Sequence, residues 1–429
     1  MRKELRERIS NEVEARQEEL LELLTKLIAF PTVSPPARNT TEVQDFIKGY
    51  LEDLGFETEK WDVYPGDPNV VGILHGESSN QFNSLIINGH VDVAEVGDDK
   101  EWNSSPFETI TKDGYIYGRG VADMKGGIAA SLMAIKLLKQ LGIPLQGDLQ
   151  FQSVIGEEVG EAGTLACMEK GYKADYAVVV DTSDLHIQGQ GGVITGWITI
   201  QSKKTYHDGL RRNMIHAGGG INGASAIEKM TKIITGLQEL ERHWAVTKSY
   251  DGFPSGTNTI NPAVIEGGRH AAFVADRCSL WITVHFYPNE DFEDVIKEIE
   301  QHIGAVAASD PWLRENPPEF VWGGKSMIVD RGEIFPSLEI DPEHSGTKLL
   351  TNSFEKLLGF EPAVGMSTTV TDAGWLGRAG IPTVIFGPGK LEDAHAVNEK
   401  VEIKQLLDFT KVLAVFIAEW CNTRKEDQQ

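Results

Sequence analysis

Two side chains set two residues apart, His90 and Asp92, follow a short apolar run, Leu85-Ile86-Ile87, that ends at Asn88-Gly89. In an extended segment that spacing puts both on one side, so both can reach one point. Asp123 comes later, in the Gly-rich run YGRGVADMKGG (117–127). Imidazole and carboxylate are ligands of borderline divalent metals, so these residues read as half of a metal site. The other half is carried by Glu157-Glu158 after strand-like Leu149–Ile155, by Asp181 after the apolar run 176–180, and by His395 in a loop.

Two imidazoles and three carboxylates suit two divalent ions, most readily zinc, with cobalt or manganese able to use the same shell. Asp123 is expected to bridge the ions. His90 and Asp181 would complete one shell, and Glu158 and His395 the other. Asp92 is expected to orient the free ring nitrogen of His90. Glu157 is left for chemistry: it can take a proton from a water between two cations and hand it to a leaving amine. Each residue alone has a plainer reading. A Glu-Glu pair is usually solvated surface, Asp123 could cap the helix beginning near Lys125, and Asp181 could be a loop acid. The argument for a site is that five ligand types coincide at strand ends or Gly-rich turns.

The elements that must position them alternate between helix and strand. Residues 4–29 read as one long helix with Leu20, Leu23, Leu24, Leu27 and Ile28 as its apolar stripe. A second helix is expected over 41–54, strands over 57–63 and 69–74, and a helix over 126–141. After Gly191-Gly192 the order becomes strand, helix, strand, strand, helix. The last third returns to the first style, with helices over 342–358 and 401–420 and an apolar strand over 381–386. The expectation is an α/β catalytic domain, a mixed sheet flanked by helices, from residues 1–192 and 330–429. Residues 193–329 form an inserted α+β sandwich.

A chain of 429 residues is long for one core, which favours two domains. Lys and Arg number 40 against 64 Asp and Glu, a formal charge of -24 that argues against nucleic acid or an anionic membrane as partner. The amphipathic start lacks the apolar core of a signal peptide, and Cys167, Cys278 and Cys421 share no metal or disulfide spacing. A cytoplasmic location is the expectation. No GxGxxG or Walker pattern opens a helix, which disfavours a nucleotide site.

The segments NGHVDV (88–93), YGRGVADMKGG (117–127), GEEVGEAGT (156–164), TDAGWL (371–376) and GPGKLEDAHAVNE (387–399), with Asp181, resemble the M20 family of metallopeptidases and deacylases. The acetylornithine deacetylase and succinyl-diaminopimelate desuccinylase group is the expected neighbour. The resemblance implies a zinc-exopeptidase-like catalytic domain holding two metals, usually zinc, and a homodimer through the inserted lid or dimerisation domain. It implies His90, Asp123, Glu158, Asp181 and His395 as ligands, Glu157 as general base and Asp92 as the acid behind His90. Asp184 is the fallback for Asp181. The family's oxyanion-stabilising lid histidine maps onto His216, with His207 as competitor, and Asn258 matches an asparagine near the substrate. Two departures, His285 where many members have Arg and GGRHAAFVAD in place of Gly-Gly-x-x-x-Asn, bear on the substrate. Arg211, Arg212 and Arg269 are candidates for an anionic group. The expected activity is hydrolysis of a small N-acyl amide of the acetylornithine type. The alternatives are a formylaminopyrimidine deformylase of thiamine salvage and a dipeptidase or carboxypeptidase. A non-enzymatic binding protein would have lost a ligand or Glu157, and none is lost.

Overall fold

Leu85–His90, which opens on the apolar run Leu85-Ile86-Ile87, and the apolar Tyr176–Val179 are buried along their whole length, as strands covered on both faces must be. Leu149–Val154 is equally buried although it carries Gln150, Gln152 and Ser153. Its polar groups are partly matched inside: Gln152 Oε1 accepts from Asn88 Nδ2 at 3.1 Å, and Gln150 Nε2 donates to the Lys173 carbonyl at 2.6 Å. Buried hydrogen bonds of this kind explain a strand that alternates poorly in sequence.

The computed structural model describes residues 3–216 and 223–425, with only the main chain of residues 99 and 213–216. The chain divides into two compact units, Met1–Gln190 with Leu338–Gln429, and Gly191–Ser337. The larger holds an eight-stranded mixed sheet in the order Glu57–Tyr64, Asp67–Leu74, Leu149–Val154, Leu85–His90, Tyr176–Val179, Thr383–Ile385, Ile187–Gln190, Val364–Ser367. Four neighbours in its middle, from Leu149–Val154 to Thr383–Ile385, run parallel. Their carboxyl ends therefore open at one edge, where α/β sheets build sites. Helices cover the sheet, and Ile403–Trp420 is buried along almost its whole length.

The smaller unit is a sheet ordered Thr259–Gly267, Arg277–Phe286, Gly192–Gln201, Glu319–Trp322. Helices Ala226–Thr247 and Phe292–Ser309 share one core with it. This is the α+β sandwich expected for the insertion, with the strand Glu319–Trp322 gained from a stretch that had no clear period. The expected return to the larger unit at residue 330 comes later. Ile334–Phe335 still pairs with Gly192–Gln201, and Gln190 pairs with Leu338 only after that.

The expected continuous first helix is also broken. Lys3–Ala15 and Gln17–Ile28 meet at Arg16, which has φ -112 and ψ 23. The Arg16 side chain spans the break, reaching Glu12 at 3.3 Å and Glu19 at 3.2 Å, and Ile9 and Val13 reach the core. A small sheet of Ile110–Lys112, Tyr115–Tyr117 and Lys400–Glu402 had no sequence signal beyond short polar runs. No described helix is long and apolar enough to cross a membrane.

The helix Lys125–Gln140 begins close against the sheet. A Cβ added to Gly127 would lie 2.0 Å from the Val180 carbonyl oxygen, one residue before Asp181. Gly127→Ala should therefore lose about 3 kcal/mol of stability, as overpacking against a rigid neighbour does. Urea denaturation of the two proteins measures it, and an unchanged midpoint would contradict the packing described.

Candidate metal centre

The parallel strands deliver the chemistry-bearing residues to one edge. His90 is the last residue of its strand, Glu157 and Glu158 follow Leu149–Val154 in a short 3-10 turn, and Asp181 lies two residues beyond Val179. His395 comes from the loop after Thr383–Ile385 and has φ 58. Asp123 ends the turn that leads into Lys125–Gln140.

Asp123 sits between the two imidazoles. Its Oδ1 lies 3.2 Å from His90 Nε2, and its Oδ2 lies 3.2 Å from His395 Nε2. Asp181 approaches His90 Nε2 to 3.9 Å and Glu157 approaches it to 3.8 Å. Glu158 lies 2.9 Å from His395 Nε2. The five expected ligands and Glu157 are thus brought together. Asp184, the fallback, accepts from Gln405 Nε2 at 2.5 Å, on a loop that turns away after Asp181.

Asp92 acts differently from the expectation. His90 Nδ1 meets the main-chain carbonyl of Asp92 at 3.0 Å, while the nearer carboxylate oxygen is 3.7 Å away. The carboxylate instead accepts from the main-chain nitrogens of Gly156 at 2.8 Å and Glu158 at 3.1 Å. An extended chain places the carbonyl beside the ring and frees the side chain to hold the Glu157-Glu158 turn. That turn is gripped from behind as well. Glu161, bonded through its own nitrogen to the Gly156 carbonyl at 2.6 Å, receives both guanidinium arms of Arg38 at 2.7 Å. Gly156 has φ 80, and a Cβ there would stand 2.3 Å from that of Glu161, so glycine is required on both counts.

Six carboxyl groups, Asp92, Asp123, Glu157, Glu158, Asp181 and Asp372, cluster about the buried His90, and the exposed ring of His395 reaches Asp123 and Glu158 from the loop. Burial raises Glu157 well above the carboxylate range, lifts Asp181 to about 8 with help from the Asp123 charge, and lifts Asp372 to about 6. Hydrogen bonds to Asp123 and Glu158 raise His395 to about 11. Burial opposes a charge on His90, but the surrounding acids outweigh it and hold its pKa well above the ordinary value. Such a cluster keeps protons that a cation would replace.

The donor set fits a metal on an independent observation. His90 Nε2 and Glu158 Oε1 are buried and make no hydrogen bond. Among the described residues, one ligand atom from each of His90, Asp123 and Glu158 can be chosen so that all lie within 4.8 Å of one another. Buried polar atoms without partners are rare, and two aimed into one carboxylate cluster mark a place for a cation.

Other expected residues are not gathered here. His207 is exposed and bonds the Gly209 nitrogen at 3.1 Å, and the side chain of His216, at the end of helix Asp208–His216, lies outside the described residues. Asn258 is buried and donates to Glu290 at 2.5 Å. Arg211 pairs with Glu228 and Arg269 with Asp276, Arg212 is exposed, and His285 lies on the strand Arg277–Phe286. Missed in the sequence were Asp372, whose carboxylate accepts from Thr164 at 2.7 Å, and Arg119 and Glu399, which pair at 2.8 Å in full burial. A charged residue four positions from His395 and another four before Asp123 were the available signals.

The chain is 62% identical over 418 residues to an N-formyl-4-amino-5-aminomethyl-2-methylpyrimidine deformylase of Bacillus subtilis (strain 168), covering 97% of this chain and 98% of that one. It is 61% identical over 413 residues to the deformylase of the same name from Halalkalibacterium halodurans, covering 96% and 97%. An acetylornithine deacetylase from Erwinia tasmaniensis is 26% identical over 408 residues, covering 94% of this chain and 98% of that one. This overturns the expected placement beside the acetylornithine deacetylase and desuccinylase group. Among solved structures, an M20 family metallo-carboxypeptidase from Sulfolobus solfataricus matches with a TM-score of 0.72 at 20% identity, covering 94% of this chain and all of that one. The fold is therefore the expected one, an α/β domain with an inserted second domain. The protein is a metal-dependent amidohydrolase that acts on a non-peptide C–N bond of a small molecule. Residues 86–419 match peptidase family M20/M25/M40, and the chain belongs to that family.

Proposed function

We propose that this protein removes the formyl group from an N-formyl aminomethylpyrimidine, releasing formate and the free amine. The observation that carries the reading is the identity of 62% and 61%, along nearly the whole chain, to two deformylases of that substrate. We further propose two zinc ions, one held by His90 and Asp181, the other by Glu158 and His395, with Asp123 shared. The two oxygens of Asp123, each facing one imidazole at 3.2 Å, support the sharing. A homodimer through residues 193–329 and an oxyanion contact from His216 belong to the same reading and rest on the family resemblance.

When bound, the metal supplies Lewis-acid polarisation of the formyl carbonyl and lowers the pKa of a water. Glu157 takes a proton from the attacking water as its oxygen bonds to the formyl carbon. The C–N bond then breaks, and Glu157 passes that proton to the departing amine nitrogen. Burial suits Glu157 to holding a proton between the two steps. Asp92 keeps Glu157 and Glu158 in register by holding the main chain on either side of Glu157.

Three measurements test this. Glu157→Gln should retain metal and fold but lose turnover on the order of a thousandfold. Near-normal rates in the metal-loaded variant would reject the base assignment. Zinc at a hundred times its Kd should stabilise the metal-free protein by about 2.7 kcal/mol. That gain, read as a rise in Tm, should vanish in Asp123→Ala. With N-formyl and N-acetyl forms of the aminomethylpyrimidine and N-acetylornithine offered side by side, kcat/KM should favour the formyl pyrimidine. Preference for N-acetylornithine would overturn the substrate.

A further inference from the structure

Arg119 and Glu399 lie outside the ligand set, yet their contacts reach four of its segments. Arg119 is 1% exposed and Glu399 0%. The guanidinium donates from Nη1 to Glu399 Oε2 at 2.8 Å, and from Nη2 to the main-chain carbonyls of Glu95 at 2.8 Å and His395 at 3.1 Å. Its flat face lies over the Trp102 ring, 5.3 Å from the centroid. Glu95 belongs to the segment leaving His90 and Asp92. One planar fork thus holds the chain on both sides of the centre, a geometry that the point charge of a lysine cannot reproduce.

Glu399 does the complementary work on the Asp123 turn. Its Oε2 also accepts from the Gly120 nitrogen at 2.9 Å, and its Oε1 accepts from the nitrogens of Ala122 at 2.7 Å and Asp123 at 3.0 Å. The Glu399 carbonyl accepts from the Gly118 nitrogen at 3.0 Å. The same turn reaches the Asp181 strand, because Thr182 Oγ1 donates to the Ala122 carbonyl at 2.8 Å. Through these bonds the segments bearing His90, Asp123, Asp181 and His395 share one buried ion pair, while Asp92 holds the Glu157-Glu158 turn.

We propose that the Arg119–Glu399 pair is a positioning device that sets the metal-binding geometry in the metal-free protein. It rests on the reading of His90, Asp123, Asp181 and His395 as metal ligands. The need for it is electrostatic. Without a cation the clustered carboxylates repel one another, and two imidazoles among six carboxyl groups offset that only in part. A frame anchored on the buried Glu399 carboxylate, which is paired with the Arg119 guanidinium and bonds the main chain of the Asp123 turn, keeps their main chains converging. An element that served only the overall fold would affect stability and leave metal affinity alone.

The test uses the full chain with Arg119→Lys and Glu399→Gln. Zinc affinity is measured by competition with a chromophoric chelator, and the centre is observed through the visible spectrum of the cobalt form. Both variants should bind zinc about 10–100-fold more weakly, as loss of an outer hydrogen-bond partner does. The cobalt bands should shift, and kcat should fall more than KM changes. Folded variants with the zinc affinity and cobalt spectrum of the unaltered protein would overturn the proposal. Hydrogen exchange on the unaltered protein gives a reading that needs no variant. The amides of Gly120, Ala122 and Asp123 should be protected with metal stripped away. Fast exchange there, slowed only by added zinc, would equally overturn it. Failure of the unaltered protein to bind zinc would sink the metal centre itself, an outcome distinct from equal binding by all three proteins.

Discussion

Like charges brought together in a dry space repel, and the centre depends on holding them there. Six carboxyl groups crowd around the buried His90, with His395 reaching in from an exposed loop. Their shifted pKa values show how strongly they resist: Asp181 and Glu157 are both pushed toward their neutral forms. Side chains on mobile loops would separate. Here several are fixed through the main chain, and buried carboxylates do much of the fixing. Asp92 takes two amides of the glutamate turn, Glu399 takes three amides of the Asp123 turn, and Glu161 is locked by Arg38. A carboxylate that accepts several main-chain hydrogen bonds is satisfied where it stands and fixes the turn it accepts from.

The sheet explains why such distant residues can meet. Four adjacent parallel strands end on one edge, so a residue just past each end needs only a short turn to reach its neighbours. Chain separation then costs nothing in geometry. Asp123 lies on no strand and must be brought in by a turn. That turn is tied down by Glu399, by Arg119 and by Thr182. Close packing completes the arrangement, since Gly127 lets Lys125–Gln140 press on Val180, the residue before Asp181.

How much of this could be read beforehand follows from the same physics. Residues past apolar runs were legible, because burial on both faces writes itself as continuous Leu, Ile and Val. His90 and Asp181 were found that way, and Glu157-Glu158 by charge at a strand end. Arg119 and Glu399 were not, because a buried ion pair has the same letters as a surface one, and only the third dimension shows that Trp102 and main-chain carbonyls enclose it. The role of Asp92 was half legible. The sequence puts Asp92 next to His90, but its bonds to the main chain of a turn 64 positions away have no local period to betray them. The break at Arg16 was lost because amphipathic spacing continues through it.

The family was legible and the neighbouring group within it was misjudged, for a reason that lies in the chemistry. A metal-binding cluster acts on the carbonyl and on water, and both are common to every amide. Nothing in such a cluster distinguishes formyl from acetyl. The difference is one methyl group, worth about 1–3 kcal/mol in a shaped pocket, and it is set by the walls around the acyl carbon. Motifs rich in ligands therefore report the reaction and are silent on the substrate. His285 and the run GGRHAAFVAD depart from the family pattern, but a departure says only that something has changed. Identity along nearly the whole chain separates the groups where the cluster does not: 62% to a deformylase against 26% to an acetylornithine deacetylase. The fold is shared with a metallo-carboxypeptidase at a TM-score of 0.72, so the fold does not choose among amide substrates.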